Sequence, residues 1–217
     1  MKAHLRLIGD VHGYWGSYHL LLRKAHFTVQ LGDFGFDYAT LSTVDPDRHK
    51  FLGGNHDNYD EVEKWPHYLG DYGLHCVPGF RDIFFVRGGY SIDSQTGGRD
   101  GGPRIMGLDW WPDDPAYRPA EELYMADCYA ALEEYSRIRP DFVITHECPT
   151  SVIPHVTASS RLKPTRTNQL LERMLDVHQP RRWVFGHYHR SWQRVIGRTH
   201  FTCLRELECL DLALLPQ

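Results

Sequence analysis

Over its first third the chain carries apolar positions in short runs rather than long amphipathic stretches. Leu5 to Ile8 is one run, closed by Gly9-Asp10. Phe27 to Leu31 is a second, closed by Gly32-Asp33. His49 to Leu52 is a third, followed by Gly53-Gly54-Asn55-His56-Asp57. Short apolar runs bounded by Gly and Asp read as buried strands. Between the first two, Ser17 to His26 places Leu20, Leu21, Leu22 and Ala25 at roughly helical spacing. Strand, helix, strand, loop, strand is the order of an α/β sheet.

The same reading continues along the chain. Ile83 to Val86 and Tyr90 to Ile92 predict strands around Gly88-Gly89, arranged as a hairpin. Gly97 to Arg104 is glycine-rich and aperiodic, hence a loop. Glu121 to Arg137 predicts a helix, with Leu123, Ala126, Ala130, Ala131 and Leu132 on one face and Glu121, Glu122, Glu133 and Glu134 on the other. Phe142 to Thr145 is a strand ending in His146, and Thr150 to Lys163 a long loop containing Pro154. Thr165 to His178 is helical, and Trp183 to Phe185 is a strand ending in Gly186-His187. Trp192 to Leu214 reads as strands with a turn at Gly197-Arg198. No repeat or linker interrupts the pattern, so one domain over residues 1–217 is expected.

Composition narrows the function. Lys and Arg number 24 against 28 Asp and Glu, a formal net charge of −4, so no general basic field favours long nucleic acid. The five cysteines are irregularly spaced without a C-x-x-C, which argues against a disulfide framework or a zinc ribbon. The start MKAHLRLIGDVHG lacks a signal-peptide core, and no stretch nears the roughly 18 apolar residues of a membrane span. A soluble cytoplasmic protein is expected. Histidine, the commonest metal ligand, occurs 14 times.

Position gives those histidines meaning. Five predicted strands end in residues suited to metal: Asp10 and His12, Asp33, Asn55 and His56, His146, and His187 with His189. In open α/β sheets ligands bind beyond the carboxyl ends of strands. Glycines sit just before most of these residues and let the chain approach a bound group closely. Each Asp alone would read as a turn or helix cap, and each His alone as a solvated or core residue. Together they form an oxygen and nitrogen donor set without cysteine, suited to Mn, Fe or Zn. Two ions sharing one carboxylate is the natural count, and two metals roughly 3.5–4 Å apart can clamp an in-line phosphoryl displacement.

The segments GDVHG (9–13), GD (32–33), GGNHD (53–57), THE (145–147) and GHYH (186–189) resemble the five ordered motifs of the calcineurin-like metallophosphoesterases. The resemblance covers nearly the whole chain. It implies an α/β fold of two mixed β-sheets packed as a sandwich and flanked by helices, four layers in all. It implies that Asp10, His12 and His189 bind one divalent metal, that Asn55, His146 and His187 bind the other, and that Asp33 bridges them. It implies a metal-bridging hydroxide as nucleophile, with His56 assisting at the substrate. Mn, Fe, Zn and Ni all suit the donors, with manganese the first choice in vitro.

The sequence also departs from one branch of that family. Where the protein phosphatases continue GDxVDRG, this chain has GDFGFD, with Phe36 and Asp37, and Asn58-Tyr59-Asp60 follows GNHD without arginine. A doubly charged monoester is usually gripped by arginine. Phosphodiesters or nucleotides are therefore the expected phosphate-ester substrates. A phosphomonoesterase or protein phosphatase, a small DNA nuclease and a non-catalytic metal-binding scaffold are the rival readings. Asp57 and Asp37 are both candidates to orient His56. Arg99 and Arg104, followed by Trp110-Trp111, fit either a cover over a nucleotide or a plain hairpin loop above two core tryptophans. Arg161, Lys163 and Arg166 read as a solvated basic face. Tyr188 should point away from the metals into packing, and Cys148 has no activating neighbour. Oligomeric state is not legible.

Overall fold

The computed structural model describes residues 4–91, 105–106, 120–157 and 163–213. Ten strands among the described residues form two mixed sheets. The first contains β1 (His4–Ile8), β2 (Phe27–Gln30), β3 (His49–Phe51) and β10 (Cys209–Ala213), in the order β10-β1-β2-β3. Here β1, β2 and β3 run parallel, and β10 pairs antiparallel with β1. The second sheet contains β4 (Tyr72–His75), β5 (Ile83–Val86), β6 (Phe142–Thr145), β7 (Arg182–Phe185), β8 (Trp192–Ile196) and β9 (Thr199–Cys203), in the order β4-β5-β6-β7-β9-β8. Its central strands β5, β6, β7 and β9 are parallel.

Strand alternation sorts the side chains into layers. Leu5 and Leu7 of β1 and Val29 of β2 pack with Ile83, Phe85, Phe142, Ile144 and Val184 of the opposite sheet. That cluster is the seam between the sheets. Phe84, Val143, Trp183 and Phe185 point the other way, against α2 (Met125–Ile138) and α4 (Arg166–Val177). Ile8 and Phe51 pack outward with Tyr18 and Leu22 of α1 (Trp15–Leu22) and with Tyr38 and Leu41 of a 3-10 turn. The expected sandwich flanked by helices is therefore present. Both faces of the inner strands are buried, so their apolar runs are continuous rather than alternating.

Three local expectations are corrected. Ile83–Val86 is a strand, but its antiparallel partner is β4. Tyr90 and Ser91 lie outside any strand, and Ile92 falls outside the described residues. β4 reads YGLH and has no apolar run to announce it. The helix expected from Glu121 begins at Met125, because Glu121 and Glu122 are buried with their carboxylates engaged elsewhere. The loop expected over 150–163 contains a short helix, α3 (Ile153–Thr157), with Pro154 in its first turn, where a missing N–H costs no helical bond. α4 begins with a capping box: Thr165 Oγ1 accepts from Asn168 N at 3.2 Å, and Asn168 Oδ1 accepts from Thr165 N at 3.0 Å.

Several histidines outside the motifs are structural, as expected. His67 and His178 bond carbonyl oxygens of Val44 and Pro140, each at 3.0 Å. His49 Nδ1 lies 2.9 Å from Thr28 Oγ1, and burial, then the nearby Arg48, push the ring down to about 4. A histidine kept neutral in the fold binds a proton more readily once unfolded. Stability should therefore fall as pH drops from 6.5 toward 4. Replacing His49 with Gln should flatten that part of a stability-against-pH curve measured by urea unfolding; an unchanged slope would assign the loss to other groups.

Candidate metal centre

The carboxyl ends of β1, β2 and β3 meet those of β6 and β7 at one end of the seam. Asp10 follows β1, Asp33 follows β2 and Asn55 follows β3, whereas His146 follows β6 and His187 and His189 follow β7. The five ends converge, three from one sheet and two from the other.

The converging atoms fall into two groups that share one residue. Asp10, His12, Asp33 and His189 offer ligand atoms all within 4.8 Å of one another, and so do Asp33, His146 and His187. In the first group, His189 Nε2 lies 3.1 Å from Asp10 Oδ2 and 3.0 Å from His12 Nε2, which is 3.5 Å from Asp33 Oδ2. In the second, His146 Nε2 lies 3.2 Å from Asp33 Oδ1 and 3.1 Å from Asn55 Oδ1. His187 Nδ1 lies 2.8 Å from the same Asn55 oxygen. Asp33 thus faces one group with Oδ2 and the other with Oδ1.

The backbone is bent to achieve this. Of the six non-glycine residues with positive φ among the described residues, four are His12 (45°), Asp33 (57°), His187 (67°) and His189 (51°). Such conformations cost about 1–2 kcal/mol each and cluster at functional sites. The preceding glycines matter here for closeness. A Cβ on Gly54 would strike the Asp33 carboxylate and stand 2.8 Å from His146 Nε2, and one on Gly186 would strike Asp10 Oδ1.

Electrostatics fit a cation. Burial alone would raise the Asp10 and Asp33 carboxyls. The surrounding histidines outweigh it, His12 and His189 for Asp10 and chiefly His146 for Asp33, and hold both well below the usual range. Burial alone would lower His146, yet Asp33 beside it lifts the ring to about 10. Both shifts express the mutual attraction of carboxylates and imidazoles in a dry site. Asp10 Oδ2 is buried, with His189 Nε2 3.1 Å away but no hydrogen bond of good geometry among the described residues. A divalent ion would satisfy a carboxylate oxygen set in this way among imidazole nitrogens.

Outer residues hold this set in place, and sequence reasoning missed most of them. His146 Nδ1 sits 2.8 Å from Leu31 O, which leaves Nε2 turned to the site. His187 Nε2 lies 3.0 Å from Glu147 Oε1, and Asn168 Nδ2 donates to Glu147 Oε2. Burial pushes Glu147 up to about 7 and, with His146 nearby, His187 down to about 4. Asn55 Nδ2 donates to Ser91 Oγ at 3.3 Å, while Glu121 accepts from Ser91 N at 2.6 Å and from Ser91 Oγ at 2.9 Å. Glu147 had a signal, since it follows His146 in THE. Ser91 had none, and Glu121 was hidden in an apparently helical pattern.

His56 sits beside the groups: its backbone N donates to Asp33 Oδ1 at 2.7 Å, and its ring lies 5.1 Å from that of His12. Asp57 is not turned to it. Asp57 Oδ2 accepts from Asp33 N (2.9 Å) and Gly54 N (2.7 Å), and Oδ1 accepts from Phe34 N and the Tyr38 hydroxyl, both at 3.0 Å. Asp57 braces two loops, and Asp37 is the candidate that lines the same cleft as His56. Tyr188 packs as expected, with its ring 6.0 Å from Phe185 and its hydroxyl 3.4 Å from Cys148 Sγ. Burial, then Glu147, push the Cys148 thiol well up, so it is not an activated nucleophile. Arg99, Arg104, Trp110, Trp111 and Arg161 lie outside the described residues.

Residues 4–191 match the family model for calcineurin-like phosphoesterases. The chain belongs to the calcineurin-like phosphoesterase family. It is therefore a phosphate-ester hydrolase by family, with Asp and His groups that could hold metal ions. None of the curated proteins matches it in sequence. Several solved structures share its fold, among them two of low identity. One is the GAP50 anchor of the inner membrane complex of Plasmodium, with TM-score 0.50 and 9% identity over 94% of this chain and 72% of that one. The other is a Staphylococcus aureus protein assigned as a 5′-nucleotidase and crystallised with α-ketoglutarate, with TM-score 0.54 and 13% identity over 100% of this chain. This calcineurin-like chain spans 55% of the nucleotidase's length. At such identities the likeness is one of fold. No helix among the described residues is long and apolar enough to cross a membrane.

Proposed function

We propose that this family member hydrolyses phosphodiesters or nucleotides at a two-metal centre. The observation that carries the reading is the shared Asp33, which faces both donor groups with different oxygens. Asp10, His12 and His189 would hold one divalent ion, Asn55, His146 and His187 the other, and Asp33 both. Two bound cations lower the pKa of water toward neutrality and neutralise phosphoryl oxygens. The chain's own part is to fix that pair and to place His56 beside it. From there His56 can stabilise charge on a phosphoryl oxygen or protonate the leaving oxygen.

Several features support a diester or nucleotide. No Arg or Lys among the described residues lines the cleft beside His56, so the arginine grip expected of the protein-phosphatase branch is not found there. Phe36 occupies the position where the phosphatase branch carries Asp. A net charge of −4 disfavours long nucleic acid. A scaffold without catalysis would tolerate loss of ligands, and all seven are present. Nitrogen and oxygen donors accept Mn, Fe, Zn or Ni, and Mn²⁺ is the ion to assay first. The odd number and irregular spacing of the cysteines favour a reducing compartment such as the cytoplasm.

The protein should hydrolyse bis(p-nitrophenyl) phosphate or a nucleotide with Mn²⁺ and stop on chelation. No turnover across a panel of monoesters, linear and cyclic dinucleotides and nucleoside polyphosphates, with metal bound, would retire the reading. Glu147→Gln should weaken metal retention or turnover by about 10–100-fold, the usual effect of losing a residue that orients a ligand. Dialysis followed by metal analysis separates the two effects, and unchanged retention and turnover would show that Glu147 does not orient His187.

A further inference from the structure

An open cleft of about 370 Å³ adjoins the metal centre, lined by His12 and His56 at one end and by Trp15, Phe36 and Asp37 beyond them. That volume is within the roughly 300–1,000 Å³ typical of small-molecule sites. Gly13 and Gly35 complete the lining. A Cβ on Gly35 would stand 2.8 Å from Gly13 N and 3.5 Å from the Trp15 ring, so two bare backbone turns meet beneath the indole. Phe36 is 45% exposed although it belongs to a motif loop otherwise packed inward, where Phe34 is fully buried. Among the described residues, the ionisable side chain in the lining besides the two histidines is Asp37, which also accepts from Ala39 N at 3.1 Å.

We infer that this cleft is a subsite for a flat, hydrogen-bond-donating group on the substrate, a nucleobase with its ribose, and that it selects esters carrying a single phosphate. The inference rests on the two-metal phosphoesterase reading. Aromatic walls give a planar base a stacking surface. The Asp37 carboxylate can accept from an amino group of the base or a ribose hydroxyl. With no Lys or Arg in the lining among the described residues, a second phosphate placed there would face that carboxylate without a compensating charge from them. Phe36 and Asp37 would therefore set specificity, while the residues around Asp33 hold the reacting phosphate.

Equilibrium binding to the Mn²⁺-loaded full chain tests this without depending on turnover. The probes are the methylene phosphonate isostere of adenosine 5′-monophosphate, which has no ester bond to cleave, and ethylphosphonate, which has the phosphonate but no nucleoside. The isostere should bind at least about tenfold more tightly, in line with the stacking of one base. Phe36→Ala, at an exposed position, should reduce that preference to below about threefold. Asp37→Asn should narrow the discrimination against the corresponding diphosphonate. Equal affinity for the two probes, no binding of either, or a preference that survives Phe36→Ala would overturn the subsite. Failure of the wild-type protein to hydrolyse any ester would instead count against the phosphoesterase reading, and the two outcomes are read in separate assays.

Discussion

Asp33→Asn is expected to lower phosphoesterase turnover by at least about a thousandfold, beyond the roughly 10–100-fold that removing an outer partner costs. The reason is its double role. Oδ2 lies 3.5 Å from His12 Nε2 and Oδ1 lies 3.2 Å from His146 Nε2, so one carboxylate serves both donor groups. An amide keeps one acceptor oxygen and turns an N–H₂ toward the other group, where it repels a cation. The bridge is lost without loss of volume. Urea unfolding in chelator measures separately what losing the buried Asp33–His146 pair costs the fold. Wild-type protein should gain thermal stability when Mn²⁺ is added, since a ligand that binds only the folded state stabilises it by mass action. The variant should gain little. Full turnover with a normal metal-dependent shift in Tm would show that Asp33 does not bridge.

Asp57→Ala should fail in the opposite way, through structure rather than chemistry. Its carboxylate holds the backbone N–H groups of Asp33, Phe34 and Gly54 and the Tyr38 hydroxyl, all in buried surroundings. Alanine leaves three buried backbone donors without this acceptor. The expected loss is about 3–5 kcal/mol, a large part of the roughly 5–15 kcal/mol that holds a domain folded. Urea unfolding in the presence of chelator isolates this term from metal binding. A loss under about 1 kcal/mol would show that the two loops keep their shape without the brace. The two variants together separate a residue that makes the site chemical from one that makes it exist.

Much of this was legible in the sequence, for a physical reason. Strands buried on both faces must be apolar throughout, so β1, β2, β6 and β7 stood out as runs, and each ended abruptly in a polar candidate ligand. The α4 helix was equally plain, with Leu170, Leu171 and Met174 on one face. What stayed hidden was whatever depends on partners distant in the chain. β4 contains Gly73 and a half-exposed tyrosine, and only its pairing with β5 makes it a strand. Glu121 and Glu122 look like the solvent face of a helix until Ser91 and Thr167 are seen to bond them. Asp57 stood next to the candidate catalytic histidine in sequence, yet its donors lie mostly in the loop after β2. Ordered motifs reveal ligands; the residues that steady them follow no spacing rule.

The position of the centre astride the seam also has a mechanical meaning. Asp10, Asp33 and Asn55 belong to one sheet and His146, His187 and His189 to the other, while the interface behind them is held by Leu5, Leu7, Val29, Phe85 and Ile144. Apolar contacts of that kind resist separation but oppose sliding only weakly. Ions held at one end would act as a rivet through both plates. Amide hydrogen exchange in the inner strands should therefore slow when metal binds, well beyond the liganding loops, and relax again when it is withdrawn.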